Sequence, residues 1–228
     1  MRIFRSRNVT GANVIQALTV AGMFGMFFLG ALYLQRVLGY DALETGLAFL
    51  PTTIVMGVLT VRYSEPLIMR FGARTLLFPG LTLIAVGLAL FTLAGPDGGY
   101  VVHVLPVILL IGAGVAVCFP ALMTLAMSGA TPEDAGLASG LINTTAQVGG
   151  ALGLAVLATV SSSRSDKLID EGKDLATALT SGYHVAFWIG AGCVVAAIVV
   201  AATVLESVPK GAQQPHGESA DTAISEAA

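Results

Sequence analysis

Long apolar segments alternate with short polar ones along this chain, and the pattern predicts helices that cross a membrane. An α-helix needs about 20 apolar residues to cross the hydrocarbon core of a bilayer. Six segments meet this requirement: residues 13–34, 43–63, 75–93, 101–127, 136–160 and 183–205. The polar segments between them are short and rich in Gly, Pro or charge, apart from the longer stretch 161–180, for which we expect a loop, with or without a short helix.

Proline residues inside these apolar segments predict bends. Pro51 lies in the second segment, Pro79 in the third, and Pro106 and Pro120 in the fourth. Each proline lacks a backbone N–H and clashes with the preceding helical turn. We expect the threonine hydroxyls that follow Pro51, or a neighbouring helix, to satisfy the carbonyl left free there.

The composition supports a membrane protein and excludes one class of partner. Hydrophobic residues make up 55% of the 228 residues and charged residues 11%, whereas soluble domains are about 25% charged. No basic run and no basic–aromatic interleaving is present, so a nucleic-acid partner is not expected. Residues 207–228 are polar and rich in Gly, Pro, Ser and acid, a composition typical of a disordered tail.

The distribution of basic residues predicts the orientation in the membrane. Six spans place both termini on one side, and seven of the 11 Lys and Arg residues fall in segments on that side. Cytoplasmic loops carry an excess of Lys and Arg. We therefore expect cytoplasmic termini and a multi-pass protein of the plasma or inner membrane.

The fifth span has a composition that is unusual for a helix facing lipid. Asn143 and Gln147 are four residues apart and share one face, where hydrocarbon would penalise them. Small residues recur at the same spacing, which permits close approach of helix backbones in a membrane. These are Gly136 and Gly140, and again Gly149 and Gly153. The pattern predicts a helix surrounded by other helices.

The first span carries a stripe at three- and four-residue spacing, which places its members on one helical face. The stripe runs through Asn13, Gln16, Val20, Phe24 and Phe27. Two interpretations are open at this point. The stripe is either an ordinary packing surface against neighbouring helices or one wall of a cavity for an apolar substrate.

The residues that catalysis or metal binding would require are not found in a suitable pattern. His103, His184 and His216 lie at span ends or in the tail, and there is no His-Glu-x-x-His run, so an intramembrane enzyme is disfavoured. Cys118 and Cys193 lie in apolar surroundings and are interpreted as buried free thiols, with neither a metal site nor a cofactor expected.

Candidates for proton coupling are equally sparse. Intramembrane ionisable residues are the usual coupling sites, yet Asp41, Glu44 and Asp97 lie only at span ends. His103 at the start of the fourth span is either an interfacial histidine or a coupling residue.

Three segments resemble one family. Arg70-Phe-Gly-Ala-Arg74 is similar to the cytoplasmic loop motif of the major facilitator superfamily, although Glu65 is out of register with the acid of that motif. The segment 138–153 resembles the penultimate helix of fourteen-helix drug/proton antiporters of the EmrB/QacA branch. The opening Phe-Arg-Ser-Arg-Asn-Val and the helix after it resemble the entry into the last six helices of that branch.

The resemblance implies an all-α membrane protein in which residues 1–206 form one bundle of six helices, as a three-plus-three inverted repeat. It implies the C-terminal half of a transporter that also needs six to eight N-terminal helices or a second copy. The implied activity is efflux of amphipathic small molecules driven by the proton motive force. The alternative is an inactive fragment, or a half-transporter that acts only as a dimer or with a separate N-terminal half.

The resemblance also implies roles for individual residues. The substrate would be bound by Asn13, Gln16, Phe24, Phe27 and Phe119. The other half would pack and gate against Gly140, Asn143, Gln147, Gly149, Gly150 and Gly153. The cytoplasmic loop motif would comprise Arg70, Gly72 and Arg74.

Overall fold

The computed structural model describes residues 6–128 and 134–205, which form long helices joined by short turns. Six helices in these ranges are long and apolar enough to cross a membrane. They are α1 (Arg7–Arg36), α2 (Ala42–Phe71), α3 (Ala73–Phe91), α4 (Tyr100–Ser128), α5 (Ala135–Asp170) and α6 (Leu175–Thr203). The six predicted spans are confirmed in number and order. The predicted tail 207–228 lies outside the described residues.

The polar stretch 161–180 is not the loop that its composition indicates. Helix α5 continues through it to Asp170, and α6 begins at Leu175 with Asp174 as its N-cap. The two helices pack closely there, because Gly182 of α6 lies directly against Ser161 and Ser165 of α5. Both serines are buried, so small and polar residues make a helical hairpin that hydropathy alone does not reveal.

Two wide π-helical turns interrupt the helices, and each ends two residues before a proline. The turn Thr60–Ser64 precedes Pro66 in α2, and the turn Tyr100–Val104 precedes Pro106 in α4. A wider turn accommodates the ring and the missing N–H of proline without ending the helix. Consequently α2 extends to Phe71, beyond its predicted end at residue 63.

The helices pack as two triplets that exchange partners. Helix α1 of the first triplet packs on α5 and α6 of the second, and α4 of the second packs on α2 and α3 of the first. This reciprocal pattern is the arrangement expected of a three-plus-three inverted repeat.

Aromatic contacts and one hydrogen bond join α1 and α6 to the bundle and to each other. The rings of Phe91 in α3 and Phe187 in α6 stack with centroids 4.6 Å apart, and Tyr33 of α1 meets Phe91 edge-on at 5.6 Å. At one end of the bundle, Arg7 donates a hydrogen bond to the carbonyl of Thr203 at 3.4 Å. The first and last helices therefore start and finish side by side.

Three hydroxyl groups donate hydrogen bonds between α2 and α4. The side chain of Thr52 donates to the carbonyl of Ile108 at 3.2 Å. Ser64 donates to the carbonyl of Ala116 at 2.7 Å, and the phenol of Tyr100 donates to the carbonyl of Ala48 at 2.7 Å. Thr52 therefore bridges two helices through its hydroxyl.

Helices α2 and α5 are the least covered of the six. Only 17% of the most apolar 18-residue window is buried in each, compared with 39–56% in the other four helices. The bundle therefore presents two thinly packed helices, which frame the candidate site.

Candidate functional site

The polar end of the α1 stripe lies inside the bundle. The side chain of Asn13 is 7% exposed, and its Nδ2 donates to the carbonyl of Val9 at 2.8 Å. Its Oδ1 accepts a hydrogen bond from the hydroxyl of Thr145 in α5, also at 2.8 Å. Asn13 thus joins α1 to α5, and its predicted contact with a substrate stays a prediction.

Gln16 lies one turn further along α1 and is 6% exposed. Its Oε1 is buried and accepts no hydrogen bond. An amide oxygen that is buried without a donor is destabilising relative to a hydrated one. The Oε1 of Gln16 is therefore a buried acceptor without a donor, and it lies close to the contact between α1 and α5.

The aromatic end of the stripe is open instead. Phe24 is 42% exposed and Phe27 37% exposed. The ring of Phe24 lies over Gly150 of α5, where an added Cβ would be 3.1 Å from the ring. The ring of Phe27 meets Phe49 of α2 with centroids 5.7 Å apart. Along its length, this face of α1 thus has a buried polar part, followed by an exposed aromatic part that contacts α5 and α2.

Sequence reasoning missed one aromatic residue of this wall. Phe49 lies in α2 and joins the wall only through the crossing of α1 and α2, which no periodicity reveals.

On α4, Phe119 is half-buried and packs partly against the common core. Met123 follows one turn later and is 39% exposed. Residues four apart on a helix share a face, so Phe119 and Met123 form an adaptable apolar surface. Met123 was not among the predicted residues.

Three of the six residues predicted to pack against another half, Gly149, Gly150 and Gly153, contact α1 of this bundle, and their predicted contact with another half stays a prediction. An added Cβ at Gly149 would lie 2.8 Å from Cα of Ala17. At Gly153 it would overlap Ala21, and Gly150 lies under Phe24. These glycines face α1 because two small residues on each helix allow the backbones to touch.

The other three predicted residues lie on the open face of α5. Gly140, Asn143 and Gln147 are exposed, and an added Cβ at Gly140 would meet nothing within 4 Å. The Nδ2 of Asn143 donates to the carbonyl of Ser139 in its own helix. Their predicted contact with a further bundle stays a prediction.

The loop motif joins α2 to α3 at the end of the bundle where α1 begins and α6 ends. Gly72 has φ +85°, a conformation that favours glycine. Arg74 donates from Nη2 to the carbonyl of Ala202 at 3.2 Å, which ties the junction to the end of α6. The guanidinium of Arg70 lies 5.4 Å from the ring centroid of Phe71.

No charged residue is buried as a whole in the described ranges. Every buried polar residue in ranges 6–128 and 134–205 is an Asn, Gln, Ser or Thr. In the same ranges no group of three His, Cys, Asp or Glu residues is placed to hold a metal ion. The described surface can therefore bind apolar and aromatic groups and offer neutral hydrogen-bonding partners.

Comparison with known proteins gives three informative relatives. A puromycin resistance protein of Streptomyces alboniger is 34% identical over 210 residues, which cover 90% of this chain and 42% of the relative. A cephamycin export protein of Amycolatopsis lactamdurans is 39% identical over 71% of this chain and 33% of its own length. A quinolone resistance protein of Staphylococcus aureus is 27% identical over 92% of this chain and 42% of its own length.

The chain spans less than half the length of these relatives. The family model of the Major Facilitator Superfamily matches residues 1–154, well over half of the chain. The match includes the first four helices, the loop motif and the start of α5. With its six apolar helices, the chain is a multi-pass protein of the cell membrane, and it belongs to the Major Facilitator Superfamily.

Proposed function

We propose that this chain is the C-terminal half of a proton-coupled multidrug exporter of the fourteen-helix branch. The observation that carries the proposal is the low burial of α2 and α5, each of which leaves most of its apolar window and its exposed side uncovered. Exposed polar groups on a spanning helix are unfavourable in lipid. Asn143 and Gln147 on that side support contact with protein rather than with acyl chains.

The substrates that suit this half are amphipathic and carry aromatic groups. The wall of Phe24, Phe27 and Phe49 offers rings, and Met123 adds a flexible thioether. Rings and thioethers bind apolar molecules with little demand on exact shape. Named relatives include proteins of puromycin resistance and cephamycin export, which supports small-molecule export as the activity of the whole protein.

Proton coupling depends on groups that this chain does not place in its described interior. Coupling residues are usually intramembrane acids or histidines, and the buried polar residues described here are all neutral. The proton-carrying residues therefore belong to the other half. The bundle would supply one wall of the cavity and the surface that moves against its partner.

A chimaera tests this function. The matching C-terminal part of the Streptomyces alboniger puromycin resistance protein would be replaced by residues 1–205 of this chain. We expect ethidium efflux that a protonophore abolishes, whereas the 228-residue chain alone should export no more than a vector control. A chimaera that reaches the membrane in normal amounts but exports nothing would contradict the proposal.

A second copy of the chain is the alternative partner for the same open face. Val148 on α5 is 52% exposed, and Val148→Cys in a Cys118→Ser, Cys193→Ser background would report such a contact. A specific disulfide-linked dimer, together with dye export by the chain alone, would favour the dimer over a separate N-terminal half. A matched cysteine at Val86, which is 43% exposed on α3, is the control for random collision.

A further inference from the structure

The junction between α2 and α3 carries positive charge that no described acid neutralises. Arg70 is exposed at the end of α2, and Arg74 lies in the first turn of α3. Neither arginine makes a salt bridge with a described residue. An ion pair is present elsewhere, between Lys167 and Glu171 in the α5–α6 hairpin. The arginines therefore present a local excess of positive charge beside the membrane.

The amino end of α3 adds to this charge. Gly72 precedes the helix without a side-chain capping hydrogen bond, and the first turn contains no acid. A helix amino end carries partial positive charge on its free N–H groups and favours an anion. Space beside Gly72 is open, since an added Cβ there would meet nothing within 4 Å. The buried Nε of Arg74 also lacks an acceptor.

The level of this junction along the bundle is that of lipid headgroups. Helix α3 has 19 residues, a length of about 28 Å that matches the hydrocarbon thickness of a bilayer. Met69 and Phe71 are 51% and 48% exposed beside Arg70, whose guanidinium rests over the ring of Phe71. Exposed apolar side chains next to an arginine are typical of the membrane interface.

We propose that the junction of α2 and α3 binds the phosphate group of an anionic phospholipid. The guanidinium groups of Arg70 and Arg74 and the free N–H groups at the start of α3 contact the phosphate oxygens. Met69 and Phe71 contact the upper part of the acyl chains. A lipid fits better than a soluble anion because the cationic groups lie directly beside exposed apolar side chains, and basic residues at the interface attract anionic lipids.

Native mass spectrometry of the purified 228-residue chain tests the site. The chain in detergent micelles would be given equal amounts of phosphatidylglycerol and phosphatidylcholine, and the ratio of bound lipids measured. We expect phosphatidylglycerol to be preferred, and Arg70→Gln to lower that preference about fivefold. Arg70→Lys should retain most of it. Arg70 is the chosen position because Arg74 also bonds the end of α6.

The matched control is Arg36→Gln, since Arg36 is exposed at the other end of α1. We expect this variant to keep the wild-type preference. Equal losses for Arg36→Gln and Arg70→Gln, or no loss for either, would overturn the proposal. Displacement of phosphatidylglycerol by excess inorganic phosphate would show a site for a small ion and overturn it too.

Discussion

The close contact between α1 and α5 makes a quantitative prediction for Gly149→Ala. The new Cβ would lie 2.8 Å from Cα and 3.0 Å from the carbonyl oxygen of Ala17. Ordinary contacts between carbon atoms are about 3.5–4.0 Å. Because the atoms of Ala17 belong to the backbone, no side-chain rotation relieves the overlap. The two helices must therefore separate by about 1 Å.

This separation also breaks a hydrogen bond one turn away. The Thr145 hydroxyl and Asn13 Oδ1 are 2.8 Å apart, and an increase of about 1 Å takes them beyond hydrogen-bond range. Overpacking of this kind costs about 1–3 kcal/mol, and an interhelical hydrogen bond in a membrane contributes about 0.6 kcal/mol. We expect Gly149→Ala to lower the free energy of unfolding by about 2–3 kcal/mol.

Titration of the chain in detergent micelles with sodium dodecyl sulphate measures this change. Trp188, the only tryptophan, reports unfolding by its fluorescence. Gly140→Ala is the matched control, because its new Cβ meets no atom within 4 Å, and it should leave the midpoint unchanged or slightly raised. A midpoint for Gly149→Ala equal to that of Gly140→Ala would refute the close-contact reasoning.

A double-mutant cycle then tests the link to the hydrogen bond. If Gly149→Ala already breaks the bond, Thr145→Val should cost about 0.6 kcal/mol less in that background than in the wild-type chain. Full additivity of the two changes would mean that the helices do not separate at Asn13.

Three further predictions follow from single hydrogen-bonding groups. Thr52→Val removes a hydroxyl that attaches α2 to α4, so we expect a loss of about 0.6 kcal/mol and faster amide exchange in α2. Gln16→Met removes a buried, unpartnered oxygen, so the free energy of unfolding should be unchanged or raised by up to about 1 kcal/mol. The pKa of Asp174 is held below its ordinary value by the Thr177 hydroxyl and by backbone N–H groups of the first turn of α6. The contribution of this cap to the free energy of unfolding is therefore complete above the unfolded aspartate pKa. It falls as the pH drops through the lowered value.

Each of these predictions has its own control. Thr53→Val alters an exposed neighbour of Thr52 and should not change exchange in α2. A large stability loss for Gln16→Met would show that the oxygen has a partner. For Asp174, the variant Asp174→Asn keeps a capping group but cannot titrate. The thermal midpoint should therefore fall less between neutral and acidic pH for this variant than for the wild-type chain. An equal fall in both proteins would contradict the capping role.

The sequence by itself determined the class of protein, the number of helices and their order. A stretch of apolar residues long enough to cross a bilayer is a strong signal, because each backbone polar group in lipid must be satisfied inside its own helix. Hydropathy therefore predicts six spans without knowledge of their neighbours. The partial loop motif and the composition of the fifth span also sufficed to indicate the family.

Only the tertiary structure decided which face of each helix is covered. Gly149 and Gly153 have the spacing of a packing surface, but spacing does not identify the partner; the structure places α1 against them. The spacing of the α1 stripe likewise places its residues on one helical face. In the structure, however, Thr145 covers Asn13 while the side chain of Phe24 is exposed.

The physical reason is that helices in a membrane associate through close packing and individual hydrogen bonds rather than through a general hydrophobic force. Lipid and protein interiors are equally apolar, so an apolar residue does not reveal which of the two it faces. The continuation of α5 beyond residue 160 was missed for the same reason. Ser161 and Ser165 are polar in sequence, but the structure buries them against Gly182 of α6. Sequence determines what can cross the membrane, and the crossing of the helices determines which of their faces remain open.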